Sequence, residues 1–198
     1  AVGARAEVVV AWREQADGSW LDDPQRCPVA PIFRLGVYPL NDLIKICGAV
    51  SGVQVAATRL FTGRPTPDNA QLTLTFSSGV IGSVYASFCV ENGQHYANTL
   101  VLHFERGTIY RNMTPTAYGY AHRSNRLLLV ARAGKQQVLT REATFPHANY
   151  SDYPWAELRA AVARPSSAAA MPVEEIVHGL EVVAAMQRAA DSGRAERV

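Results

Sequence analysis

Through the middle of the chain, apolar and polar residues alternate. In Leu72-Thr73-Leu74-Thr75-Phe76 the apolar side chains fall on one face and the threonines on the other, the period of a half-buried strand. Ser77-Ser78-Gly79 reads as a hairpin turn. Beyond it Val80, Val84, Ala86 and Phe88 continue the apolar face, with Ser83, Tyr85 and Ser87 opposite. The same reading predicts strands over Val53 to Leu60, Gln71 to Phe76, Val80 to Val90, Asn98 to Glu105, Thr108 to Arg111, Arg126 to Ala131 and Gln136 to Arg141. The unbroken run Val8-Val9-Val10 predicts a first strand, Glu7 to Glu14, buried on both sides at its centre. The second face of this sheet is mixed rather than polar: Ile81 lies on it, and Val101 joins it if Leu100, Leu102 and Phe104 face the core.

Helical spacing takes over in three places. Leu40, Leu43, Ile44 and Cys47 recur on one helix face after Pro39, a residue tolerated in a first turn, and Gly48 supplies a left-handed stop. Tyr38 then stands at the start of a short amphipathic helix, near backbone N–H groups without partners in the helix and able to face a ligand. The plainer reading of Tyr38, a tyrosine packed beside a helix start, stays open. A longer helix over Val173 to Asp191 is expected to turn Ile176, Val177, Leu180, Val183 and Ala184 inward, with Glu174 and Glu175 favourable at its N-terminus and Gly193 ending it. Asp152 caps a further predicted helix, Tyr153 to Arg164, with Trp155, Leu158 and Val162 as its stripe, and Pro165 to Ala170 is a small-residue linker. Asn112 to Asn125 has no period and contains Tyr118, Tyr120 and His122; it is either a ligand-facing loop or a surface flap packed by its own tyrosines. The pattern as a whole predicts a single α+β domain over residues 1–198: an open, mainly antiparallel β-sheet with helices packed on one face.

Composition narrows the function classes. The chain of 198 residues is 48% hydrophobic and 18% charged, the balance of an ordinary globular domain with one sizeable core. A net charge of +2 without a basic run or a basic stripe gives no case for nucleic acid or an anionic membrane. No apolar run reaches the ~20 residues of a membrane span and no signal-peptide pattern opens the chain, so a cytoplasmic location is expected. Cys27, Cys47 and Cys89 are far apart, and the histidines at 95, 103, 122, 147 and 178 are dispersed, so neither a disulfide framework nor a metal site is expected. No G-x-G-x-x-G and no alternation of strand and helix is present, so the chain alone is expected to bind no dinucleotide.

Trp12-Arg13, then Leu35-Gly36-Val37-Tyr38-Pro39-Leu40-Asn41 running into a helix that ends at Gly48, resembles the start of the C-terminal domain of the Gfo/Idh/MocA oxidoreductases. That family reads W-R, a glycine-rich loop, then D-x-G-x-H/Y-x-x-D. The likeness continues through Leu72 to Phe76 and Ser77-Ser78-Gly79, and Ala189-Ala190-Asp191-Ser192-Gly193-Arg194 is similar to the closing A-x-x-S-x-x-G-R. The resemblance implies a dihydrodipicolinate-reductase-like sheet domain, the later half of a longer NAD- or NADP-dependent enzyme acting on a sugar, polyol or related carbonyl compound. It also implies a homo-oligomer built through the sheet face. The earlier half would supply the cofactor fold and a lysine from an E-K-P segment; neither Lys45 nor Lys135 has that context.

Residue by residue, the resemblance gives Tyr38 the acid/base position, places Asn41 where the family has an aspartate, and makes Arg13 and Arg34 substrate-binding candidates. Two departures stand out. Pro24, Pro28 and Pro31 replace the glycines of the loop, which stiffens it. Arg34 replaces the usual aspartate, and a positive charge there favours an anionic substrate group or a tyrosinate. Alternatively Arg34 pairs with Asp22, Asp23 or Asp42, and the chain is a non-catalytic ligand-binding or dimerisation module.

Overall fold

The computed structural model describes residues 1–10, 14–90, 95–112, 116–117, 124–133, 137–146, 159, 162–163 and 173–198. Among them ten strands run in the order β1 (Gly3–Val9), β2 (Val50–Thr58), β3 (Asn69–Phe76), β4 (Ile81–Ser87), β5 (His95–Phe104), β6 (Gly107–Arg111), β7 (Thr116–Ala117), β8 (Ser124–Ala133), β9 (Gln137–Pro146) and β10 (Glu196–Arg197). Helices α1 (Val37–Cys47) and α2 (Val173–Ser192) accompany them. In space the strands lie β10-β2-β3-β4-β1-β5-β6-β8-β9, with β7 added to β5. The pairing of β1 with β4 is parallel and the others are antiparallel. The expected α+β sheet with helices on one face is the fold observed.

Alternation decides which side chains meet the helices, because successive residues of a strand point to opposite faces. One helix-facing row crosses the sheet through Val55, Leu72, Val84, Ala6, Leu100, Arg111, Leu127 and Ala143. Leu72, Val84 and Ala6 are fully buried there against Leu40, Leu43 and Ile44 of α1 and Val182, Ala185 and Met186 of α2. Each fully buried leucine or valine contributes about 1.5–3 kcal/mol relative to an exposed one. On the opposite face lie Thr73, Ser83, Arg5, Val101, Tyr110, Leu128 and Glu142. The mixed character read for this face is present, with Ile81 exposed and Val101 and Tyr85 half-buried. Phe104, expected in the core, is partly exposed at the end of β5.

Several boundaries differ from the sequence reading. The first strand is Gly3–Val9, not Glu7 to Glu14, because it extends along β4 from Gly3↔Ile81 and along β5 from Gly3↔His103. Val10 instead joins a smaller cluster with Cys27, Ala30 and Phe88. The stretch read as a loop from Asn112 contributes β7 and the start of β8. The inward stripe of α2 also differs: Val182, Ala185, Met186 and Ala189 are buried, whereas Val177 and Leu180 are exposed. Val182, Ala185, Met186 and Ala189 recur at the spacing of one helix face and that face meets the sheet, whereas Val177 and Leu180 lie off it. Most of the helix expected over Tyr153 to Arg164 lies outside the described residues, though Arg159, Val162 and Ala163 are helical.

The start of α1 departs most from expectation, and it positions the site. Helical geometry begins at Ala30, and a π turn, Ile32–Gly36, leads directly into α1. A wider turn ahead of Pro39 accommodates a residue with no N–H to give to the preceding turn. Tyr38 is therefore not at a free helix end. The first donors of the helical run are upstream, where the Val29 carbonyl accepts from the N–H groups of Ile32 and Phe33 at 2.9 and 3.2 Å. Gly36 is required for close approach: a Cβ there would sit 3.1 Å from Val84 Cγ1 and 3.2 Å from the Ile32 side chain. Gly48, at φ 91°, ends the helix as expected.

Candidate active site

Two loops set the orientation of the π turn. In the segment between β2 and β3, the Asp68 carboxylate accepts from the backbone N–H groups of Leu60, Phe61 and Thr62 at 2.8–3.0 Å, and from the Thr62 hydroxyl at 3.1 Å. Its backbone spans two strand ends, donating to the Thr58 carbonyl and accepting from the Phe88 N–H. Arg64, on the loop so formed, is buried and pairs with Asp22 at 2.6 Å and with Asp17 at 3.5 Å. Thr66 donates to the Leu21 carbonyl at 3.0 Å. The segment after β1 is thereby fastened to the segment after β2.

Arg34 completes this scaffold. Its guanidinium engages Glu14 in a bidentate pair, Nη1 with Oε2 and Nη2 with Oε1, the latter at 2.9 Å. It also lies over the Phe88 ring, 4.6 Å from the centroid. Glu14 is 3.7 Å from Arg64 as well, so one carboxylate joins the two arginines. The partner of Arg34 is therefore neither Asp22, Asp23 nor Asp42. A planar fork stacked on an aromatic face and paired bidentately is a favoured use of arginine in a half-buried setting. Its charge is compensated by Glu14 and directed toward Phe88, not toward Tyr38.

Tyr38 itself is 68% exposed on α1. One helical turn later comes Asp42, the spacing at which helix side chains are neighbours. The Asp42 carboxylate accepts from Arg111 Nη1 at 2.9 Å, and Arg111 Nη2 donates to Asn98 Oδ1 at 3.2 Å. Helix α1 and strands β5 and β6 thus converge beside Tyr38. Asn41 Oδ1 points to α2, where a Cβ on Gly179 would lie 2.9 Å from it. Of the residues singled out from the sequence, Tyr38 and Asn41 share α1, Arg34 belongs to the loop scaffold, and Arg13 lies outside the described residues. Asp42, Asn98 and Arg111, which the structure joins beside α1, were not singled out from the sequence as candidates. The alternation of β6 held the clue for Arg111, since Ile109 and Arg111 point the same way and Ile109 packs on the core.

Other chemistry is limited. Burial pushes the Cys27 and Cys47 thiols above their ordinary range, which removes them as nucleophiles at neutral pH. All three cysteines are buried. Among the described residues no group of histidine, cysteine and carboxylate ligands clusters as a metal site, and no helix is long and apolar enough to cross a membrane.

A mixed sheet backed on one face by helices, with an exposed tyrosine and an arginine–carboxylate pair on the helical side, defines an α+β sheet domain. The chain belongs to the Gfo/Idh/MocA C-terminal domain family, whose model matches residues 2–110, more than half its length. Solved structures share the fold over nearly the whole chain. A protein of Desulfitobacterium hafniense, proposed to be an NADPH-dependent oxidoreductase, superposes with a TM-score of 0.81 at 16% identity over 98% of this chain and 56% of its own. A levoglucosan dehydrogenase in complex with NADH and levoglucosan superposes with a TM-score of 0.78 at 15% identity, covering 100% of this chain and 58% of that one. An NAD-binding oxidoreductase from Klebsiella pneumoniae gives the same TM-score of 0.78, with 15% identity and the same coverages of 100% and 58%. The chain spans a little over half the length of these structures. No curated protein matches the sequence.

Proposed function

We propose that this chain is the substrate-binding domain of an NAD- or NADP-dependent oxidoreductase acting on a sugar, polyol or related carbonyl compound. In this reading Tyr38 exchanges a proton with the reacting hydroxyl or carbonyl oxygen. The observation that carries it is the exposed phenol of Tyr38, at the acid/base position of the family motif and on the helical face beside Asp42 and Arg111. The shared fold of a dehydrogenase that holds NADH and a sugar derivative supports the same class. Turnover by the protein carrying this domain, followed by nicotinamide absorbance over a panel of sugars and polyols with NAD and NADP, is the test. Absence of turnover across the panel would favour a non-catalytic ligand-binding or dimerisation module.

The nicotinamide cofactor does not fit these residues. Its pyrophosphate needs a glycine turn running from a strand into a helix N-terminus, and the sequence has no such motif. The 198-residue chain is expected to show no binding in calorimetric titration with NADH or NADPH. A dissociation constant of about 10 μM or tighter for either would overturn that expectation.

The outer sheet face is proposed to pair with a second copy of the chain. Ile81 is 62% exposed, and register places Val101, Tyr110 and Leu128 side by side across β5, β6 and β8, with Val130 one step along. Apolar side chains in this number on a face that otherwise carries threonine, serine and arginine are the mark of a self-association surface. Light scattering at tens of micromolar is expected to give a dimer or larger species, and Ile81→Lys combined with Val101→Lys to give a monomer. A monomeric wild-type protein would count against this pairing.

A further inference from the structure

Arg111 is the charged residue in an otherwise apolar row of the sheet's helix-facing side, flanked across the strands by Leu100 and Leu127. An apolar side chain at that position would extend the core, whereas an ion pair as exposed as Arg111–Asp42 contributes little to stability. Arg111 does not make full use of its donors either. Nη1 meets Asp42 and Nη2 meets Asn98, but among the described residues the buried Nε has no acceptor. An unsatisfied buried donor is a net cost to the fold. Stability alone does not account for this residue.

The pair is anchored on one side and open on the other. The Asp42 side chain is 46% exposed and that of Arg111 is 22% exposed, whereas Asn98 braces the guanidinium from β5. Asp42 follows Tyr38 by one turn of α1, so the open edge adjoins the phenol. That edge carries a carboxylate acceptor next to a guanidinium donor, with no net charge. Arg34 is likewise compensated by Glu14. A neutral acceptor–donor edge suits a hydroxyl group, which gives and takes a hydrogen bond at once, and offers a carboxylate no advantage.

We propose that Asp42 and Arg111, held in place by Asn98, form a specificity-determining edge that grips a substrate hydroxyl next to the one presented to Tyr38. Asp42 accepts from that hydroxyl and Arg111 donates to it. The inference rests on the reading of the chain as a sugar or polyol oxidoreductase domain.

The experiment compares kcat/KM for D-glucose, D-galactose and D-mannitol with that for their monodeoxy analogues, in the protein carrying this domain and in its Asp42→Asn and Arg111→Lys variants. For the best substrate, the wild type is expected to disfavour one monodeoxy analogue by about 30-fold or more, the scale of a polar contact left unmade. In both variants that ratio falls to about 3-fold or less, while the ratios at the other positions persist. A purely structural staple would lower all substrates together and leave every ratio intact, and that result would overturn the proposal. If no panel member is oxidised, the functional reading fails on its own, and the edge is judged by binding. The Arg111 Nε–H resonance of the 198-residue chain is then followed during titration with the same sugars. A saturable shift that weakens about tenfold or more in Asp42→Asn sustains the edge. No shift at about 100 mM of any of the sugars overturns it.

Discussion

Tyr38→Phe in the protein carrying this domain is expected to lower kcat by about 10²-fold or more, the scale of a lost general acid or base, with cofactor affinity unchanged. The substitution removes one oxygen from a side chain that is 68% exposed, so its effect on the fold is small. Stability and turnover are thereby separated: the variant should melt with the wild type and fail in the proton step. Arg34→Ala is a useful contrast, because Arg34 acts through Glu14 and the loop scaffold rather than through the phenol. It should lower the melting temperature without the change in the pH profile expected of a cation poised beside Tyr38. Turnover at the wild-type level in Tyr38→Phe would remove the tyrosine from the mechanism.

The parts of this fold written in local pattern were legible in the sequence. Leu72, Leu74 and Phe76 alternate with threonines because one face of β3 meets the core, and period 2 fixes that face without knowledge of the partner strands. Helix α1 carried its stripe, Leu40, Leu43, Ile44 and Cys47, and its Gly48 stop for the same reason. Where several neighbours decide, pattern misleads. Val177 and Leu180 of α2 looked like its core, but the helix turns the face of Val182, Ala185, Met186 and Ala189 to the sheet, an orientation set by its neighbours. The π turn ahead of Pro39 leaves no periodic mark that distinguishes it from a helix start.

For the candidate site the division is similar. Tyr38 could be named from a short motif, and its exposure agrees with a residue placed to meet a ligand. The pairing of Arg34 with Glu14 spans twenty positions and depends on two loops folding against each other, so no spacing rule reaches it. Asp42–Arg111 joins a helix to a strand 69 residues away. Its trace in the sequence is an arginine at a core-facing position of β6, a polar exception in an apolar alternation. Exceptions of that kind concentrate where function or long-range anchoring overrides the local pattern.

Asp68→Asn is expected to destabilise the chain by about 3 kcal/mol at neutral pH, since it replaces a carboxylate that accepts several backbone N–H bonds with an amide. An amide offers a single acceptor oxygen and points its own N–H₂ at donors of the loop. For a chain of this length the loss corresponds to roughly 6–12 °C in melting temperature. The pH dependence follows from opposing effects on the carboxylate. Burial pushes its pKa up, but the N–H groups of Thr62, Phe61 and Leu60 and the Cys89 thiol more than offset this, so it lies below the ordinary value of 3.8. A carboxylate with a depressed pKa in the folded state binds protons more readily when unfolded. Its stabilisation is therefore complete above pH 3.8 and is lost as the pH falls through the lower folded value. Urea unfolding of wild type and Asp68→Asn at neutral pH and again below pH 3.8 should show the difference shrinking with acid. A difference that stays constant would mean that the loop does not depend on the charge of Asp68. Because Arg64 and Thr66 of this loop hold Asp22 and the Leu21 carbonyl, the same variant should also loosen the segment that leads through Arg34 to Tyr38. It should therefore raise KM in the protein carrying the domain, although Asp68 itself touches no substrate.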